Sequence, residues 1–423
     1  MFALVVAALG IFAAVAVPFE APANFTNHRL IAAKLPTLNA FSVAQALSLD
    51  GRLELWSDLP GRDGSILFSI SPEFFNDVDG VLKQADIETK VLETDLQRII
   101  DEERLTTTYG FYINRAFNLH QFESYTQIVA SISYYANGPH SLGRISSFAI
   151  GETHEKRQIV GIKIANSMER KPVIFIECGM HAREWASIST CLYMIDELVT
   201  NQESHKDLLD RFNFHIVPCS NPDGYEYTRN FNRLWRKNRS PRVFGGWQNC
   251  VGVDLNRNFM AGPHCGVGTE KRPCSDVFCG SRPFSEPETA ALRDYLTSIT
   301  DDVDYYVSLH AFGLMWMFPH SYTTKECPDH DELLARASIG VNAIKKKTGT
   351  VYTYGPIAKT IYPVTGSSVD WAYDELKIKK SFVLEVQPSL SNAFNGRGFL
   401  LQPSQIIPVG EETFTGLKAM WLS

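Results

Sequence analysis

His181 and Glu184 stand three residues apart in Cys178-Gly-Met-His-Ala-Arg-Glu-Trp185, directly after an apolar run at 172–176. That is the spacing of a metal site. With the run as a buried strand and 185–199 as a helix, the imidazole sits at the strand's carboxyl end and the carboxylate in the helix's first turn. Both side chains then face one point. Zinc in hydrolases takes three protein ligands and keeps a fourth position for water. The third ligand is expected at another strand end, and His310, which closes the apolar run 303–309, meets that requirement. His-x-x-Glu alone has a plainer reading, a capped helix with a surface glutamate.

Four further stretches bear on the choice. Asn232-Arg-Leu-Trp-Arg-Lys-Asn238 holds Arg236, and Val253-Asp-Leu-Asn-Arg-Asn258 holds Asp254, Asn256 and Arg257 in a short polar run. Thr360-Ile-Tyr-Pro363 and Ser367-Ser-Val-Asp-Trp371 bracket a turn at Gly366, and Phe382-Val-Leu-Glu-Val386 puts a carboxylate in an apolar strand. Taken singly these are exposed arginines, a capped loop, a surface tyrosine and a strand-end glutamate facing solvent. Their occurrence together, in this order, favours a catalytic constellation.

Positioning such groups takes a sheet. From Phe117 onward apolar runs at 145–152, 160–166, 172–176, 212–218, 303–309 and 380–387 alternate with helical spacing at 193–200, 288–299 and 331–346. This predicts an α/β fold: a twisted mixed, largely parallel sheet covered by helices on both faces, with ligands bound beyond the carboxyl ends of the strands. Before it, 29–35, 53–56, 66–70 and 89–92 read as strands and 40–48, 72–84 and 93–104 as helices, with a Pro-Gly-Arg-Asp-Gly turn at 60–64. That is a small α+β unit with an antiparallel sheet. On this reading it carries no chemistry: its only histidine is His28, it lacks cysteine, and a solvated helix face accounts for its acidic residues. A trypsin-like protease is expected to cut after Arg104, in Asp101-Glu-Glu-Arg104-Leu105, with Arg98 and Arg115 as rival sites.

At 423 residues the chain is long enough for one large domain and a smaller one. Hydrophobic residues at 44% and charged residues at 21% fit an ordinary globular protein, and a net charge of −7 without a basic block argues against nucleic acid or anionic membrane as partner. Residues 3–16 are almost all small or apolar and end in Ala14-Val-Ala16, which reads as a secretory signal without a positive leader and too short to span a membrane. The boundaries expected are 1–16 for the signal, 17–104 for the small unit and 105–423 for the large one. Eight cysteines in a secreted chain imply disulfides, and Cys178 with Cys191, Cys250 with Cys274, and Cys265 with Cys279 suggest themselves. Cys219 and Cys327 are left over, as a buried thiol and an exposed loop residue or as a fourth pair. Glycosylation sequons stand at Asn24 and Asn238, the second closely followed by Pro241.

With these motifs in view the chain resembles the pancreatic-type zinc metallocarboxypeptidases of the A/B subfamily, in their secreted proenzyme form. The resemblance runs from the small unit to Gly398-Phe-Leu-Leu401 near the carboxyl terminus. It implies one Zn(2+) per catalytic domain, held by His181, Glu184 and His310. It implies that Glu385 takes the proton of the attacking water and delivers it to the leaving amine, that Arg236 stabilises the oxyanion, and that Asp254 orients the first zinc histidine. Arg257, with Asn256 and Tyr362, would grip the free carboxylate of a peptide or protein C-terminus, and Arg183 would lie along the cleft. The small unit becomes a prosegment that shields the site until a trypsin-like protease removes it. The three cysteine pairs fit pairings in the subfamily, and a monomer is the expected state.

In this subfamily an Asp at the base of the specificity pocket selects Lys and Arg. Here the matching residue is Val369, with Ile357 also apolar, so an A-type preference for aromatic or aliphatic side chains is implied. Ser321, at a position often Gly in A-type enzymes, would trim the space. Two departures, Val386-Gln-Pro388 after Glu385 and Phe312 in place of a frequent Tyr, bear on efficiency more than reaction type. The competing readings are a catalytically weak binder of peptide ends and a broad or B-type enzyme. The intact ligand set with Glu385 weighs against the first and Val369 against the second.

Overall fold

The structure is a computed structural model that describes residues 21–35, 37–56, 64–104, 117–141, 143–241, 250–389 and 397–423. The expected signal, most of the 60–64 turn and the segment after Arg104, Arg115 included, lie outside those residues.

The amino-terminal unit runs β1 (Arg29–Lys34), α1 (Leu38–Leu49), β2 (Glu54–Leu55), β3 (Ser65–Ile70), α2 (Phe75–Gln84), β4 (Glu88–Glu93) and α3 (Leu96–Arg104). Its strands pair antiparallel in the order β2-β3-β1-β4. Thr37 opens α1 by accepting from the Ala40 amide, a cap worth about 1 kcal/mol. The period of two along the strands divides their burial. Ile31, Ala33, Ile66 and Phe68 pack under Phe41, Ala44, Val78 and Leu82, whereas Leu30, Ala32 and Leu67 join the core of the following unit. β3 is buried at all six positions for that reason.

The second unit runs α4 (Tyr125–Asn137), β5 (Ile145–Glu152), β6 (Gln158–Ile164), β7 (Val173–Cys178), α5 (Trp185–Thr200), α6 (Lys206–Leu209), β8 (Asn213–Val217), α7 (Pro222–Asn230) and α8 (Pro287–Ile299). It continues with β9 (Val303–Gly313), β10 (Met315–Phe318), α9 (His330–Thr348), β11 (Thr353–Pro356), α10 (Ile357–Thr360), α11 (Ser368–Asp374), β12 (Lys380–Ser389) and α12 (Ile406–Leu422). Eight strands form one sheet in the order β11-β10-β12-β9-β7-β8-β6-β5. Its centre, β12-β9-β7-β8, is parallel, and antiparallel pairs flank it. The mixed, helix-covered sheet expected from the alternation is therefore present. Two strands escaped the reading: β10 and β11 have four residues each, too few to display a period.

Alternation along β7 again decides the packing. Ile174, Ile176 and Cys178 face α5 and α12 through Leu192, Ile195, Leu417 and Trp421. Phe175 faces the other way, with Tyr306, Leu292, Leu296 and Trp371 of β9, α8 and α11. At roughly 1.5–3 kcal/mol for each fully buried large side chain, two such layers hold the parallel strand ends in a fixed frame. Cys178–Cys191, Cys250–Cys274 and Cys265–Cys279 are bonded as expected. Cys219 and Cys327 are both free and both buried, which corrects the exposed placement of Cys327 and the option of a fourth pair.

Candidate active site

β7 ends at Cys178, and the chain turns through Gly179 before reaching His181. Gly179 has φ +66° and a Cβ there would lie 2.7 Å from Ile188 Cγ1, so the turn requires glycine. Glu184 is the N-cap position of α5, one residue short of the first helical turn where spacing had put it. Its carboxylate reaches His181 Nδ1 at 2.7 Å and His310 Nδ1 at 2.9 Å, and accepts from the Ala311 amide at 3.1 Å. The two Nδ1 atoms lie 3.0 Å apart. His310 falls inside β9, which continues three residues past it, and it stands in register with Glu385 of β12. The parallel pairing β7-β9-β12 thus brings all four residues to one edge.

This donor set fits a dication. All three ligand residues are buried, and two imidazole nitrogens 3.0 Å apart cannot each direct a proton at the other. Burial alone would lower the His310 pKa, yet the Glu184 carboxylate raises it to about 9, and Glu184 is held well below the usual carboxylate range by the two imidazoles despite burial. The pocket attracts positive charge. Another triplet, His264 with Cys265 and Cys279, loses both sulfurs to their disulfide and holds no such promise.

Asp254 ties the histidine to the arginines. His181 Nε2 lies 3.0 Å from Asp254 Oδ1, so Nε2 carries the proton and Nδ1 presents its lone pair to the ligand point. Arg236 Nε donates to Asp254 Oδ2 at 3.0 Å, with its Nη1 4.0 Å from Glu184, and Arg257 Nη1 lies 4.0 Å from the same Asp254 oxygen. Burial works against charge on Asp254, but Arg236, Arg257 and His181 hold its pKa well below the carboxylate range.

Arg257 Nη2 donates to the Tyr362 hydroxyl at 3.3 Å. The Asn256 side-chain oxygen accepts from the Ser368 amide at 3.0 Å. Gly366, φ +81°, lets the Tyr362 turn close on this segment, since a Cβ there would lie 2.2 Å from Arg257 O. Val369 and Ile357 are buried in one apolar cluster with Val364, Met317 and Val383. Ser321 is fully buried with its hydroxyl 2.6 Å from Asp370 and 2.9 Å from Val364 O, so its polarity is spent inside the protein. Phe312 packs edge-on against Phe399.

The amino-terminal unit lies over this region, and its acidic residues are not all on a solvated face as expected. Glu103 is buried and forms a two-pronged pair with Arg233, at 2.5 and 2.8 Å. Glu54 lies 3.5 Å from Arg183, a residue covered to 1% exposure, and Trp56 stacks at a tilt on Phe399. Arg183 therefore sits beneath the amino-terminal unit. A charge next to a future contact carries no signal in a strand or helix period, which is why Glu54, Glu103 and Arg233 escaped notice. Glu177, buried at the end of β7 and bonded to Ser308 and Ser220, was missed too; a charged residue closing an apolar run was its only mark. Asn238 is fully buried with its amide engaged by two carboxylates, so its sequon is closed in the folded protein.

A parallel sheet edge that carries a His-Glu-His set, with Arg236 and Arg257 both held on Asp254 beside it, fits a metal-dependent enzyme. The family is then given by comparison: residues 142–416 match the zinc carboxypeptidase family and residues 36–103 the carboxypeptidase activation peptide. The chain belongs to the zinc carboxypeptidases and carries an activation peptide. It is 37% identical to bovine carboxypeptidase B over 406 residues, 93% of each chain, and 33% identical to human mast cell carboxypeptidase A over 411 residues, 94% of each. Among solved structures, carboxypeptidase A from Helicoverpa armigera superposes with a TM-score of 0.83 at 26% identity, over 94% of this chain and 97% of that one. Thrombin-activatable fibrinolysis inhibitor superposes with 0.84 at 29% identity, over 94% and 98%.

Proposed function

We propose that this carboxypeptidase is a secreted zymogen that removes aromatic or aliphatic residues from peptide C-termini, most simply in digestive protein breakdown. The observation that carries the reading is the shared edge: His181, Glu184 and His310 converge within hydrogen-bond distances while Arg257 and Tyr362 stand paired on the adjoining turn. Zinc held by the three ligands would supply Lewis acidity toward a water and the scissile carbonyl. Glu385 takes the water's proton and passes it to the leaving amine. Arg236, oriented by Asp254, donates to the oxygen on which negative charge develops. Arg257, with Asn256 and Tyr362, binds the terminal carboxylate, and this limits attack to the last peptide bond. Each charged hydrogen bond contributes roughly 1.5–3 kcal/mol, so amidating the substrate should cost on the order of a hundredfold in kcat/KM.

Specificity rests on Val369 and Ile357. Asp370, next in sequence to Val369, has one oxygen taken by the Ser321 amide, the Ser321 hydroxyl and the Tyr322 amide. The domain limits 17–104 and 105–423, cleavage after Arg104, inhibition by the prosegment and a monomeric state complete the proposal. The test is trypsin-treated recombinant proenzyme on peptides ending in Phe and Lys, with and without chelator, beside untreated protein. Chelator-sensitive release of Phe alone, only after cleavage, is the expected result. No release by a protein with its zinc intact would turn the reading into that of a peptide-end binder. Val369→Asp should raise Lys release by about 10- to 100-fold, and an unchanged preference would show the pocket misplaced.

A further inference from the structure

Away from the catalytic edge, His154, Glu286 and Glu288 bring one donor atom each to within 4.8 Å of one another. His154 lies in the turn between β5 and β6; Glu286 is the N-cap position of α8 and Glu288 is in its first turn. Both glutamates are buried, Glu288 completely. The Asn238 amide nitrogen spans them, at 2.8 Å from Glu286 Oε2 and 2.9 Å from Glu288 Oε2, and the Ser285 hydroxyl donates to Glu286 Oε1 at 2.7 Å. Glu288 Oε1 remains without a hydrogen bond, and His154 Nε2 stands in ion-pair range of Glu286 Oε2 at 3.4 Å. Buried carboxylate oxygens without partners are costly. Burial accordingly pushes the Glu288 pKa up to about 7, and Glu286 raises that of His154.

We propose that His154, Glu286 and Glu288 form a second divalent-cation site, suited to zinc or an ion of similar borderline softness and separate from the His181, Glu184 and His310 set. One imidazole and two carboxylates are a donor set for such ions. The α8 amino terminus by itself would repel a cation, but the two carboxylates there reverse the local sign. A cavity of about 350 Å³, lined by His154 and Glu286 with Lys156, Arg282 and Phe284, opens beside the cluster as a route of entry. Lys156 does not compete, being paired at 3.2 Å with Glu152. Through Asn238, two residues after Arg236, a bound ion would fasten the oxyanion segment to the start of α8.

The test loads metal-stripped proenzyme with zinc alone and counts bound metal by mass spectrometry. Wild type should take up two equivalents, and His154→Gln and Glu288→Gln should each take up one. His181→Gln should lose the other equivalent, so failure of this proposal and failure of the catalytic assignment are distinguishable. Wild type that saturates at one, or variants that still bind two, would overturn the second site. Should the variants not fold, anomalous scattering at the zinc edge from wild-type crystals decides: a peak among the three residues supports the site, and a peak at the catalytic edge alone removes it.

Discussion

Asp254 answers three demands with one carboxylate. It fixes the His181 tautomer at 3.0 Å, anchors Arg236 at 3.0 Å and accepts the Asn256 amide at 3.0 Å. Asp254→Asn keeps the shape and removes the charge. Its zinc affinity is expected to fall about 10- to 100-fold, measured against a zinc buffer; an unchanged affinity would mean that His181 needs no carboxylate behind it. In the proposed mechanism Glu385 acts on protons and not on the metal. Glu385→Gln should therefore keep its zinc while kcat falls by about 10²–10⁴. Loss of metal in that variant would reassign the residue.

At the scale of elements, the segment leading into α4 contains a cost that pH reveals. Glu123 is buried one position before the Ser124 cap; its Oε1 accepts from the Asn118 amide at 2.8 Å and its Oε2 has no partner. Burial pushes its pKa up to about 7, with Asn118 and Arg229 opposing. A raised folded pKa means that folding favours the protonated acid. The stability it confers is complete below about 4.5 and is lost as pH rises toward 7. Glu123→Gln, which keeps the acceptor and cannot ionise, should gain on the order of 1–3 kcal/mol relative to wild type between pH 5 and pH 8. Denaturant melts at the two pH values measure this, and an equal gap at both would mean that Glu123 titrates as if exposed.

For the whole molecule, latency depends on how the prosegment is held. Arg233 and Glu103 are each almost completely buried, from opposite sides of the contact. Removing one partner of such a pair costs about 3–5 kcal/mol because the other charge is left uncompensated. Glu103→Gln should weaken inhibition by the cleaved prosegment on the order of a hundredfold or more. The mature enzyme is the same polypeptide in both cases, so its kcat/KM is the internal control. Inhibition as tight as wild type would place the grip elsewhere, on Trp56 against Phe399 or Glu54 against Arg183.

Period and punctuation are local properties, and with them the sequence alone determined most of the strands, the α/β class, the metal motif and the resemblance that names the other site residues. β7 was legible because Val173–Cys178 is buried on both faces and reads as an unbroken apolar run. β10 and β11 were not, for want of length. The fates of Glu103, Arg233, Asn238 and Ser321 were decided by tertiary structure alone. A charge or an amide looks the same in sequence whether water or a buried partner will satisfy it. That partner lies 130 residues away for Glu103 and 50 for Asn238 with Glu288, distances that only the folded chain closes.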